Sequence, residues 1–241
     1  MSAGALVLTI LLGNIAVFCA SVLQTVSGFG FAMVAVPALA LISLELVPGP
    51  SLVNSAILGI AMFLDERRLV ARQETQWLIP AIALGSVAGA LLIYLVPTDW
   101  SGIVIGSAIL AAIAMTLVSR PLVLSPPILS AGGLIAGVMG TVSGIHGPPL
   151  AILYQHQPIA KIRATMALIF IVACLTSLAA LAFVGAFDAR LAIMGLSLSP
   201  GLIAGFLLAR KIRAHLPLRV IRPIILTTAT ISALTLLWRS V

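Results

Sequence analysis

The chain has 241 residues, 61% of them hydrophobic and 8% charged, with a formal net charge of +7. Soluble domains carry roughly 25% charged residues, so a soluble globular domain is excluded and the sequence reads as an all-α integral membrane protein in a lipid bilayer. Its Lys and Arg residues sit in short connections, where they set orientation, so they do not point to a nucleic-acid partner.

Residues 4–23 form a first apolar helix, without the charged n-region and small-x-small site of a cleaved leader, so it reads as retained. It ends at a polar break, Gln24-Thr-Val-Ser-Gly-Phe-Gly-Phe31. The run 31–46 follows, with a kink expected at Pro37, and stops at Pro48-Gly49-Pro50. Spans at 51–64, 77–96 and 101–119 complete the first half, separated by the polar loop 65–76 and the turn Pro97-Thr-Asp-Trp100. Beyond the loop 120–127, residues 128–142 enter a second break, Gly140-Thr-Val-Ser-Gly-Ile-His-Gly-Pro-Pro149, and 150–158 return from it. Spans at 164–184, 189–208 and 223–238 close the chain. That makes about ten helical segments, the count set by apolar stretches and their breaks.

The basic residues test this layout. If each broken segment enters and returns as a hairpin, loops 65–76, 120–127, 159–163 and 209–222 share one side and hold eleven of the thirteen Lys and Arg. The positive-inside rule puts that side in the cytoplasm and both termini in the periplasm. Three spans separate the hairpins, so they enter from opposite faces. Residues 1–119 (hairpin 4–46) and 120–241 (hairpin 128–158) then read as two inverted repeats, a layout whose substrate site lies near the midplane where the broken helices meet.

Both breaks share Thr-Val-Ser-Gly, at residues 25–28 and 141–144. The first offers Gln24, Thr25, Ser27, Gly28 and Gly30, the second Thr141, Ser143, Gly144, His146 and Gly147. Neither contains a carboxylate. Glycine-rich backbone and half-helix amino ends present N–H donors and partial positive charge, which suit a small oxyanion. A metal cation would want acidic ligands, and no cofactor is expected. His146 reads either as a neutral ring satisfying backbone at the break or as an anion-contacting, proton-handling group. Asn54 and Thr165 follow the first and second hairpins, and either lines the site or bonds helix to helix. Arg163 reads as a basic anchor with Lys161 at the cytoplasmic edge. Gly85/Gly89, Gly102/Gly106, Gly133/Gly137 and Gly201/Gly205 allow close helix approach within one subunit or between two, so a homodimer stays open. Cys19 and Cys174 lie in apolar runs and read as packing residues.

Gln24-Thr-Val-Ser-Gly-Phe-Gly-Phe31 with Val36-Pro37, and Ser143-Gly-Ile-His-Gly-Pro-Pro-Leu150, resemble the paired signatures of the TauE/SafE sulfite exporter family. Many relatives carry glycine where His146 stands. The resemblance implies a transporter, not an enzyme, that exports small sulfur oxyanions such as sulfite, or organosulfonates such as sulfoacetate, across the bacterial inner membrane. The competing reading from another class is a membrane phosphatase of the undecaprenyl-pyrophosphate type, also built on inverted hairpins. That chemistry needs acidic groups and an arginine at the breaks, and all six acidic residues lie away from them.

Overall fold

The computed structural model describes residues 3–67, 70, 72–97, 100–117, 122–154, 157–212 and 227. Among these residues the fold is all helical. The helices are α1 Ala3–Ser27, α2 Phe31–Ile42, α3 Gly49–Glu66, α4 Arg72–Leu95, α5 Ser101–Leu117 and α6 Pro126–Ser143. They continue with α7 Gly147–Tyr154, α8 Ile159–Phe183, α9 Ala189–Ser197 and α10 Ser199–Ile212, and a 3-10 turn at Leu44–Leu46 leads into α3. The span expected at 223–238 and most of the loop 209–222 lie outside the described residues.

Among the described residues five stretches are long and apolar enough to cross a membrane: Gly4–Ser27, Leu44–Asp65, Arg72–Leu95, Pro126–Ser143 and Ala160–Phe183. The pair α9–α10, bent by 40°, makes a sixth if taken as one span. Side chains are distributed as a bilayer requires. Leu84, Leu95, Phe183 and Ile193 face outward, whereas Gln24, Asn54, Ser86, His146 and Ser177 are buried. An apolar exterior loses nothing against lipid tails, and interior polar groups find partners across helices.

Lipid gives helices no hydrophobic reason to associate, so close contact and hydrogen bonds must hold them. The glycine stripes supply that contact within the chain. A Cβ at Gly85 would meet the Leu134 carbonyl of α6, and one at Gly137 would meet the Ile82 carbonyl of α4. On the other flank, Cβ atoms at Gly201 and Gly205 of α10 would meet the carbonyls of Asn14 and Phe18 on α1. Helices α3 and α8 pack along each other between these two pairs, with Gly59 against Ile171 and the Ala167 carbonyl.

Several boundaries move from the sequence reading. Helix α1 runs to Ser27, beyond residue 23, because its last polar side chains bond within the helix. Helix α4 begins at Arg72, and α8 begins at Ile159. Lys161 and Arg163 therefore stand in the first turns of a helix, not in a loop at 159–163, and their charges sit at its end. Pro37 and Pro80 lie inside α2 and α4 without ending them. The run 189–208 is two helices, because Pro200 has no N–H to continue the ladder. Asn14 bridges that bend. Its Nδ2 donates to the Ser197 carbonyl at 3.0 Å, and its Oδ1 accepts from the Gly201 N–H at 2.7 Å.

Ion pairs mark the two ends. Lys161 meets Glu74 at 2.9 Å and Arg210 meets Asp65 at 3.0 Å, so the α3–α4 connection, the start of α8 and the end of α10 share one end. Arg190 meets Glu45 at 2.8 Å at the other. The exposed Arg190–Glu45 pair contributes only ~0–1 kcal/mol. The information in these pairs is positional: each joins an acid of the first half to a base of the second.

Candidate functional site

The two copies of Thr-Val-Ser-Gly fold alike. Each ends a helix on a left-handed glycine, Gly28 at φ 87° and Gly144 at φ 81°, where any other L-residue would cost roughly 1–2 kcal/mol. Each glycine N–H donates to the carbonyl four residues back, Gly28 to Gln24 and Gly144 to Gly140, both at 2.7 Å. The serines repeat the pattern: Ser27 Oγ donates to the Leu23 carbonyl at 2.7 Å, and Ser143 Oγ to the Met139 carbonyl at 2.8 Å. Thr25 Oγ1 donates to the Ser21 carbonyl at 2.7 Å. These three hydroxyl protons therefore close helix ends.

Between the breaks lies a narrow cavity of about 10 Å³, the room of roughly one water molecule. Gln24, Gly30, Gly144, His146 and Gly147 line it, joined by Ala32, Met33, Ser55 and Phe170. Gln24 Oε1 accepts from the Phe31 N–H at 2.9 Å and so ties α1 to the start of α2. Every residue from 141 to 150 is buried, the condition under which irregular backbone is tolerated at membrane depth. The donors differ at the two mouths. Ala32 and Met33 at the amino end of α2 line the cavity and keep their N–H groups, whereas α7 opens Gly147-Pro148-Pro149 and lacks N–H groups at both prolines.

His146 sits in a slot left by Gly140, where an added Cβ would collide with the imidazole. Its Nε2 lies 3.1 Å from Ser177 Oγ. Ser177 Oγ also lies 2.7 Å from Thr141 Oγ1 and 3.2 Å from Ser86 Oγ, and Ser86 Oγ lies 3.2 Å from Thr176 Oγ1. A buried hydroxyl chain thus links the second break to α8 and α4. The sequence reading missed Ser86, Thr176 and Ser177, although hydroxyls isolated in otherwise apolar helices were the available signal.

The other expected site residues stand further out. Asn54 Nδ2 donates to the Pro50 carbonyl at 3.1 Å and across to the Gly195 carbonyl of α9 at 2.8 Å, while its Oδ1 is buried without a hydrogen bond. Thr165 is buried in α8. Gly28 packs against Arg163, whose Cγ lies 3.0 Å from where a Cβ would stand. Positions 161 and 163 are ~200° apart around a helix, so Lys161 faces Glu74 of α4 while Arg163 faces the first break. Among the described residues no acidic one lines the cavity. Cys174 is buried, but Cys19, expected as a packing residue, is exposed on α1.

The model of the sulfite exporter TauE/SafE family matches residues 14–236, nearly the whole chain. The chain belongs to the TauE/SafE family. TauE/SafE membership makes it a multi-pass membrane protein of the anion-exporter class, and the apolar helices agree. It gives no support to the phosphatase reading. No curated protein and no solved structure matches this TauE/SafE chain significantly.

Proposed function

We propose that this TauE/SafE protein exports sulfite or small organosulfonates such as sulfoacetate across the bacterial inner membrane by alternating access. The observation that carries the reading is the cavity that Gln24 and Gly30 of one break share with Gly144, His146 and Gly147 of the other, with no carboxylate among its described lining residues. Main-chain N–H groups at the start of α2, the Gln24 amide and the His146 ring are the donors a small oxyanion would meet. Thr25, Ser27, Gly28, Thr141 and Ser143 shape the breaks. Asn54 and Thr165 support the helices around them.

Two inverted halves, 1–119 and 120–241, would rock about this point. The packing supports that division: α6 lies on α4 through glycines as α1 lies on α10, with α3 against α8 between them. The end carrying Glu74, Lys161, Asp65 and Arg210 is cytoplasmic by the positive-inside rule. An inside-negative potential favours exit of an anion by roughly 2.3 kcal/mol per charge per 100 mV. Thermal stability of the purified protein, measured with sulfite, sulfoacetate, taurine and phosphate, tests the substrate class. Stabilisation by a sulfur oxyanion that is lost in Gln24→Ala is expected; stabilisation by phosphate alone, or by none of the four, overturns it.

A further inference from the structure

Counting protons along the hydroxyl chain assigns a hydrogen to one nitrogen of His146. Each hydroxyl has one proton to give. Thr176 gives its proton to backbone, with Oγ1 at 2.9 Å from the Val172 carbonyl and 3.0 Å from that of Ala173. Its contact with Ser86 must then be donated by Ser86. Ser86 has no second proton, so Ser177 donates to Ser86. Ser177 is then spent as well, and it accepts from both Thr141 and His146. The four contacts hold together only if His146 Nε2 carries a hydrogen. In the neutral ring Nδ1 is therefore bare.

A bare nitrogen presents a lone pair, which repels an anion, and His146 lines the cavity where the proposed anion would sit. At the same mouth Pro148 and Pro149 have removed two backbone donors. We propose that His146 Nδ1 is a proton-binding site whose occupancy is linked to the anion's. Water supplies the proton, an N–H bond forms at Nδ1, the ring becomes cationic and donates to the anion, and the proton returns to water when the anion leaves. Ser177 is the positioning residue that holds the ring in the Nε2–H form. The linkage rests on the anion reading above, whereas the tautomer does not.

Few titratable groups lie on the surrounding elements. Helices α2 and α6 carry none, α3 has Asp65 and Glu66 at its far end, α4 has Arg72, Glu74 and Tyr94 near its ends, and α7 ends on Tyr154. Helix α8 has Lys161 and Arg163 at its start and Cys174 one turn before Ser177. None of these lines the cavity.

Two measurements on the full chain test the proposal. Nitrogen NMR of histidine-labelled protein, with His146 assigned among the three histidines by loss of its signal in His146→Gln, should show a protonated Nε2 and a bare Nδ1. In Ser177→Ala the signal should become a mixture of tautomers. A protonated Nδ1 in the neutral wild type overturns the proposal. The second measurement is proton uptake from weakly buffered solution on adding sulfite or methanesulfonate, the latter a permanent monoanion. Wild type should take up protons with both and His146→Gln with neither, and wild-type affinity for methanesulfonate should fall by up to about tenfold per pH unit as the ring loses its proton. Binding without uptake, or uptake with sulfite alone, overturns the linkage. If wild type binds neither anion, the transport reading fails too, and the NMR result still decides the tautomer.

Discussion

The two helix breaks start from the same four residues and diverge after them. At the first, Gly28 and Gly30 both take left-handed backbone, Gln24 reaches across to the Phe31 N–H, and α2 begins with its donors intact. At the second, only Gly144 is left-handed, α7 begins on two prolines, and a titratable ring fills the space beside Gly140. The shared Thr-Val-Ser-Gly is thus a device for ending a helix inside a membrane: a glycine at positive φ and hydroxyls turned back on the last free carbonyls. The residues just beyond that shared stretch decide which donors a ligand would meet. One break offers backbone, the other a side chain.

Variants can break this comparison in graded steps. The largest effect is expected for Gly140→Ala, which drives a methyl into the His146 ring; overpacking of this kind costs ~1–3 kcal/mol. Adding His146→Gly should restore thermal stability, because the methyl then has room, and failure of that rescue would show that the slot is not what matters. Ser177→Ala comes next. It strips His146 and Thr141 of their shared partner, and a buried donor left alone costs ~1–3 kcal/mol. Gly28→Ala and Gly144→Ala should destabilise by similar amounts, at least ~1–2 kcal/mol each for the left-handed backbone; a large inequality in unfolding midpoints would argue against equivalent breaks. Ser27→Ala and Ser143→Ala should be mildest of the set, within ~1 kcal/mol, because the carbonyls they cap stay helical.

Much of this architecture was legible in the sequence. Gly and Pro clusters interrupting apolar runs located both breaks, and the charge count grouped ends that Lys161–Glu74 and Arg210–Asp65 now bring together. Boundaries were less legible. Polar Gln24 and Thr25 read as loop, yet each finds a partner inside or beside α1, so the helix continues through them. The bend at Leu198 was passed over although Ser199-Pro200-Gly201 marks it in the sequence, and the compensation comes from Asn14, far away in sequence. The serines were expected to face a ligand from their position at the breaks alone. Which way a hydroxyl turns depends on the nearest free carbonyl, and a linear pattern does not carry that. Ser86, Thr176 and Ser177 escaped for the complementary reason: each is an ordinary small residue until folding sets them side by side.

The central claim is that both breaks contribute to one anion site, and sulfite efflux from proteoliposomes tests it most directly. Wild type should release sulfite, Gln24→Ala and His146→Gly should each slow release while remaining folded, and the lipid-facing Leu84→Ala should leave it unchanged. Wild-type rates in both break variants would contradict the account.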